Sequence, residues 1–117
     1  MSGIDTTRVQ LLEHFLDLTA HREGLIASNI SNIDTPGFRT RDLNFKQEIL
    51  KVMQSPDNAP KPAVEEVKGL MERPDGNNVN IDREGLLLAQ TQLQFHMGIE
   101  LIQNEFHRIS MAIEEGK

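Results

Sequence analysis

The chain has 117 residues, a formal net charge of −6 and no cysteine. It is long enough for one modest domain, but aromatics make up only 4%, with no Trp and no Tyr, so a dense core is hard to build from it alone. The charge argues against a nucleic-acid role, because no basic stripe is present to release counterions from phosphates, and the missing cysteines exclude disulfides, Cys–zinc sites and thiol nucleophiles together.

Met1 to Arg8 has no apolar run behind a basic end, so no cleavable secretory signal is expected. Asp5, Thr6 or Thr7 can cap a first helix, expected over residues 5–34. Along it Leu12, Phe15, Thr19, Arg22, Ile26, Asn29 and Ile33 alternate steps of three and four, which is a heptad seam. Leu11, Leu18 and Leu25 form a second row beside it. Gly24 lies inside this helix and costs roughly 1 kcal/mol against Ala; it is either tolerated or used for a close helix contact.

The helix runs into Asn29-Ile30-Ser31-Asn32-Ile33-Asp34-Thr35-Pro36-Gly37-Phe38. Pro36 has no N–H and pushes Thr35 out of the α region. Pro36-Gly37 fits the central positions of a type II turn, where the second residue needs positive φ. Asn29, Asn32 and Asp34 can bond the last free backbone groups of the helix or each other. Arg39 and Arg41 follow, as a solvated loop or a partner contact.

Residues 35–79 are expected to be an irregular middle segment of turn, linker and short β-hairpin. Leu43 to Met53 suits a short helix or an extended arm. Ser55 to Pro62 is rich in proline and suits a mobile linker. Val64 to Met71 suits a strand, and Asp75-Gly76 marks a hairpin that would return through Val79 and Ile81. A second helix is expected over residues 80–115, capped by Asn80 or Asp82. Its seam reads Leu88, Gln92, Phe95, Ile99, Ile102, Phe106, Ile109, Ile113, and a second apolar row reads Leu86, Leu93, Met97, Leu101. A helix docked on one partner needs a single apolar stripe of about 100°. Two rows, beside only one other long helix, imply further packing neighbours. The longest apolar run, Leu86 to Ala89, is far too short to cross a bilayer, so no membrane insertion is expected.

Catalytic patterns are missing. His14 and His21 are seven apart, about 10 Å along a helix, too far to share a metal unaided, and His96 and His107 are farther apart still. Asp75-Gly76-Asn77-Asn78 lacks the alternating ligand spacing of a calcium loop. No cofactor, metal site or enzyme activity is expected.

Two stretches carry a resemblance. Asn29-Ile30-Ser31-Asn32 followed by Thr35-Pro36-Gly37-Phe38 resembles the N-terminal motif of bacterial flagellar axial proteins, with Ser28 and Ser31 where the family often has asparagine and alanine. Asp75-Gly76-Asn77-Asn78-Val79-Asn80-Ile81-Asp82-Arg83-Glu84, and Arg39 to Phe45, resemble basal-body rod proteins of the FlgB type, the proximal rod. The resemblance is weakest from Lys51 to Met71. It implies a mainly α subunit of residues 1–117, with long terminal helices in a coiled-coil-like pair. It also implies export by the flagellar type III apparatus without a cleaved signal, and helical assembly in a periplasm-spanning rod. The implied partners are other copies, rod proteins of the FlgC type, and below them a FliE-type adaptor and the export gate. On that reading Leu12, Phe15, Ile26, Phe95, Ile99, Ile102, Phe106 and Ile109 form seams within or between subunits. Leu93, Met97 and Leu101 meet neighbours. Two rival readings stand beside it: a cytosolic coiled-coil adaptor or regulator, which explains the seams but not the joint presence of both motifs, and a small metal-dependent enzyme using the histidines.

Overall fold

A computed structural model describes residues 6–116. The expected cap at Asp5 lies outside the described residues. The elements are α1 (Thr6–Ser31), β1 (Arg41–Leu43), α2 (Phe45–Gln54), a 3₁₀ turn (Pro56–Asn58), β2 (Val64–Glu66) and α3 (Ile81–Glu115). The protein is mainly α, two long helices joined by an irregular middle, as the sequence pattern predicts.

α1 and α3 run antiparallel in constant register: Asn29 meets Glu84, Phe15 and Leu16 meet Gly98, and Arg8 meets Glu105. The Leu11, Leu18 and Leu25 row of α1 faces the other way, onto Leu43, Phe45, Ile49, Val52 and Ala59 of the middle segment. α1 is therefore the central layer, and the two rows read along it have two different partners. Phe15 bridges both, with its ring edge-on to Phe45 at 5.5 Å between centroids.

The middle segment departs from the sequence reading in two places. Its two-stranded antiparallel sheet pairs β2 with β1, Leu43 opposite Val64 and Arg41 opposite Glu66, and not with Val79 and Ile81. The reason lies in Asn77 and Asn78, which are buried and spend their side chains on the backbone leaving α1, so the chain after Asp75 cannot fold back as a strand. The expected linker, likewise, is docked on α1: His14 Nε2 donates to the Pro56 carbonyl at 2.9 Å and Gln10 Nε2 to Asp57 Oδ1 at 2.8 Å. α2 starts where Asn44 Oδ1 accepts from Gln47 N at 3.1 Å, and α3 where Asn80 Oδ1 accepts from Arg83 N at 3.0 Å.

The row of α3 that faces α1 is not the predicted apolar seam. The buried residues of α3 are Glu84, Thr91, Gly98 and Glu105, at steps of seven. Leu88, Phe95, Ile102 and Ile109 lie beside this line and are half-buried. Close approach belongs to Gly98, where a Cβ would come within 2.7 Å of Leu16 Cδ2, and not to Gly24, which has open space around it. Thr91 Oγ1 is buried without a hydrogen-bond partner. Replacing it with the isosteric valine removes that penalty, so Thr91→Val is expected to stabilise the fold by about 1 kcal/mol and raise the melting midpoint by roughly 4 °C. A thermal melt followed by circular dichroism checks this.

The molecule is elongated, 68 × 24 × 17 Å, with a radius of gyration of 18.3 Å; a compact chain of this length would have roughly 13 Å. It exposes 7926 Å², where a compact monomer of its 13.2 kDa mass would expose roughly 6,400 Å². Most of the large apolar side chains that stand exposed among the described residues lie on α3, Leu86, Leu93, Met97, Leu101 and Phe106 among them.

Candidate functional site: a motif junction and two exposed apolar faces

The two sequence signatures, more than thirty residues apart in the chain, meet in space. Phe38 N donates to the Thr35 carbonyl at 3.2 Å and Gly37 has φ 75°, which is the predicted type II turn closing after α1. Gly37 N then donates to the Asp75 carbonyl at 2.8 Å. The backbones are so close that a Cβ on Gly76, itself at φ 87°, would lie 3.4 Å from Gly37 Cα. Glycine is needed on both sides of this contact for the positive φ at each, while a Cβ on Gly76 would only reach van der Waals contact.

Asn77 holds the junction. Its Nδ2 donates to the carbonyls of Asn32 and Thr35, each at 2.9 Å, and its Oδ1 accepts from Val79 N at 2.8 Å. Asn78 Oδ1 accepts from Thr40 N at 2.7 Å and from Thr40 Oγ1 at 2.9 Å. Asn32 stays local, donating to the Ser28 carbonyl and accepting from Thr35 Oγ1. Arg73 adds a guanidinium bond to the Ile33 carbonyl. The Asn77 bonds add second donors to the Asn32 and Thr35 carbonyls, which already accept from Thr35 N and Phe38 N, and so tie the helix end and turn to the second signature. Among the described residues Asp34 makes no such bond, although its type suited it.

Asn29 does something the sequence did not specify. It is buried, and its amide pairs with the Arg41 backbone in both directions, Nδ2 to the carbonyl at 2.9 Å and Oδ1 from N–H at 3.1 Å. The side chain thus replaces a neighbouring strand along β1. Its Nδ2 also donates to Glu84 Oε1 at 2.7 Å. Glu84 is fully buried and takes Arg83 Nη1 at 2.6 Å. Arg83 reaches Asp42 at 2.9 Å, and Arg22 grips the same carboxylate with Nε and Nη2, both at 3.1 Å. Two guanidiniums and two carboxylates form one closed, charge-balanced network between α1, β1 and α3. Such networks contribute little net stability but fix register, because any shift strands a buried charge. On the open side Arg39 joins Glu66, Glu72 and the Gly76 carbonyl. Its hydrogen bond to Glu66 and the nearby Glu72 carboxylate raise its guanidinium above the usual arginine range.

The remaining sequence-predicted residues divide by face. Leu12, Phe15 and Ile26 sit at the α1–α3 contact, Ile26 being fully buried. On one side of the helix pair, Ile26, Ala27, Ile30, Leu88 and Gln92 line a shallow groove of about 380 Å³. Phe95, Ile99, Ile102, Phe106 and Ile109 continue the Leu88 stripe along α3, most of them half-buried and Phe106 52% exposed. On the other side Leu11, Leu12, Phe15, Ile49, Met53 and Leu101 line an apolar groove of about 190 Å³. Leu93 is 62% exposed, and Met97 and Leu101 are each 51% exposed. Neither stripe is fully covered. The histidines do not converge with carboxylates into a ligand set among the described residues, and no described helix is long and apolar enough to cross a membrane.

No family model matches the chain. Its similarity to curated proteins spans nearly all of it. It is 30% identical to the flagellar basal body rod protein FlgB of Escherichia coli (strain K12), over 86% of this chain and 88% of that protein. Against FlgB of Yersinia enterocolitica the identity is 28%, over 86% and 89%. Against FlgB of Borreliella burgdorferi it is 27%, over 91% and 95%. Similarity of that reach, across distant bacteria and in a chain whose two signature stretches close on one another, leaves one conclusion: the chain belongs to the FlgB family of flagellar basal body rod proteins, and its role is that of a structural rod component.

Proposed function

We propose that residues 1–117 act as one subunit of the proximal rod, exported by the flagellar type III apparatus without a cleaved signal and built helically into the axis through the terminal helices. The observation that carries this reading is the pair of incompletely covered apolar stripes on α3, one through the half-buried Phe95 and Ile99 and the exposed Phe106, the other through the exposed Leu93, Met97 and Leu101. Large contiguous apolar surface marks an interaction site. Two such stripes on opposite flanks suit a subunit with neighbours on both sides, and head-to-tail contacts between unlike faces are the kind that extend into helices. The neighbours on this reading are other copies and rod proteins of the FlgC type, with a FliE-type adaptor and the export gate below.

The motif junction serves this role indirectly. By tying the exit of α1 to the start of α3 it sets the helix pair as a rigid unit and turns the middle segment back along the far face of α1. Leu93→Asp tests the reading on the flank away from Phe106. The side chain is mostly in solvent, so the isolated chain keeps its stability within about 0.5 kcal/mol, while cells carrying only this variant lose motility. Motile cells with normal rods would remove this flank from the proposed contacts.

A further inference from the structure

The row of α3 packed on α1 is neither apolar nor bulky. Glu84, Thr91, Gly98 and Glu105 occupy it at steps of seven, all buried. As a means of holding two helices together this is poor, because buried carboxylates lose hydration and Gly98 brings no side chain. Three of the four positions nevertheless have a match on α1. Glu84 accepts from Asn29 Nδ2 at 2.7 Å. Glu105 lies 3.8 Å from the Arg8 guanidinium. Phe15 and Leu16 fill the space at Gly98, where a Cβ would come within 3.0 and 2.7 Å of them.

A second α3 offers none of these matches. Laid antiparallel along this row, it would set Glu84 against Glu105 and Thr91 against Gly98. Laid parallel, it would set each residue against its own copy. In both arrangements buried carboxylate meets carboxylate, and the hole at Gly98 meets threonine or glycine where it needs a large side chain. Arg83 and Arg108 do not offset this, since each is already beside the carboxylate of its own helix, at 2.6 and 3.4 Å, and Arg83 is also held by Asp42 at 2.9 Å. Meanwhile the flanking rows of α3 are apolar enough to pair with another copy. Polar residues at seam positions select partner and register in paired helices, at some expense of stability. We propose that the Glu84–Thr91–Gly98–Glu105 row is a pairing filter: it directs α3 to α1 and rejects a second α3.

The test compares the full chain with Glu84→Leu/Glu105→Leu by hydrogen exchange read by mass spectrometry, together with sedimentation velocity at the same dilute concentration. The filter predicts that the double variant sediments as a larger species. Its α3 amides over residues 85–105 stay protected, while α1 amides over residues 8–28 exchange at least tenfold faster, because α3 has left α1 for another α3. In the wild-type chain α1 and α3 are protected together, whatever its state of association. A variant with wild-type mass and protected α1 would overturn the proposal. So would a monomer in which both helices lose protection together, since the carboxylates would then stabilise the pair without selecting it. Glu105→Leu alone keeps the Asn29–Glu84 contact and hence the fold. It is expected to give the same change confined to residues 8–16 and 98–113, and an exchange pattern equal to wild type would overturn the filter independently.

Discussion

Phe106→Asp is expected to abolish motility while leaving the chain expressed and folded. Phe106 is 52% exposed on the stripe that includes Ile102 and Ile109. Replacing so exposed a residue changes the stability of the lone subunit by about 0.5 kcal/mol or less. At a subunit contact the same change forfeits the burial of a phenylalanine, about 1.5–3 kcal/mol, and adds an unpaired carboxylate to a surface that must dry. A structural subunit makes this contact in every copy, so the loss recurs along the assembly. The test is complementation of a strain lacking the gene, scored by swimming, beside a thermal melt of the purified variant. Normal swimming would take the Phe106 stripe out of the interface. A collapsed melt would mean that Phe106 supports the fold itself.

Asn77→Ala is expected to have the largest effect on the subunit's own stability. Asn77 is fully buried, and its side chain serves the Asn32 and Thr35 carbonyls and the Val79 N–H. Alanine leaves the buried Val79 N–H without that partner and takes from the Asn32 and Thr35 carbonyls one of two donors each, Thr35 N and Phe38 N remaining. An unsatisfied buried polar group costs about 1–3 kcal/mol, so with the two weakened carbonyl bonds a loss of roughly 2 kcal/mol is expected. Urea unfolding measures it. For contrast, Asn80 is exposed and bonds only Arg83 N; losing such a helix cap costs about 1 kcal/mol. Equal effects at the two positions would mean that the junction is solvated and that the motif works in some other way.

These two asparagines also mark the boundary of what the sequence discloses. Asn80 was legible, because a helix cap is a local pattern: an asparagine, then an apolar rhythm. Asn77 looked like one more turn residue beside Asp75-Gly76, and nothing local indicated that it would reach back to Asn32 and Thr35. The hairpin expected toward Val79 and Ile81 failed for that reason. The two long helices and the Pro36-Gly37 turn were legible for the same reason as the cap, since periodicity and fixed φ are properties of short stretches. Periodicity also found both apolar rows of α3, but it could not say which row faces α1, and in fact neither does so squarely. Apolar patterns are blind to a polar contact. The available hint was Gly98, a glycine in the middle of a long helix, in step with Thr91 and two glutamates. Asp42 and Glu84 were hidden in the same way: a single acidic residue ordinarily belongs to solvent, and only the assembled fold brings Arg22, Arg83 and Asn29 to it.

The most direct measurement is to purify hook–basal bodies from the organism that encodes this chain and to identify their components by mass spectrometry. The account predicts that the chain is present and enriched together with the other rod proteins. Its absence from intact, rod-containing basal bodies would contradict the structural assignment and return the coiled-coil adaptor to first place.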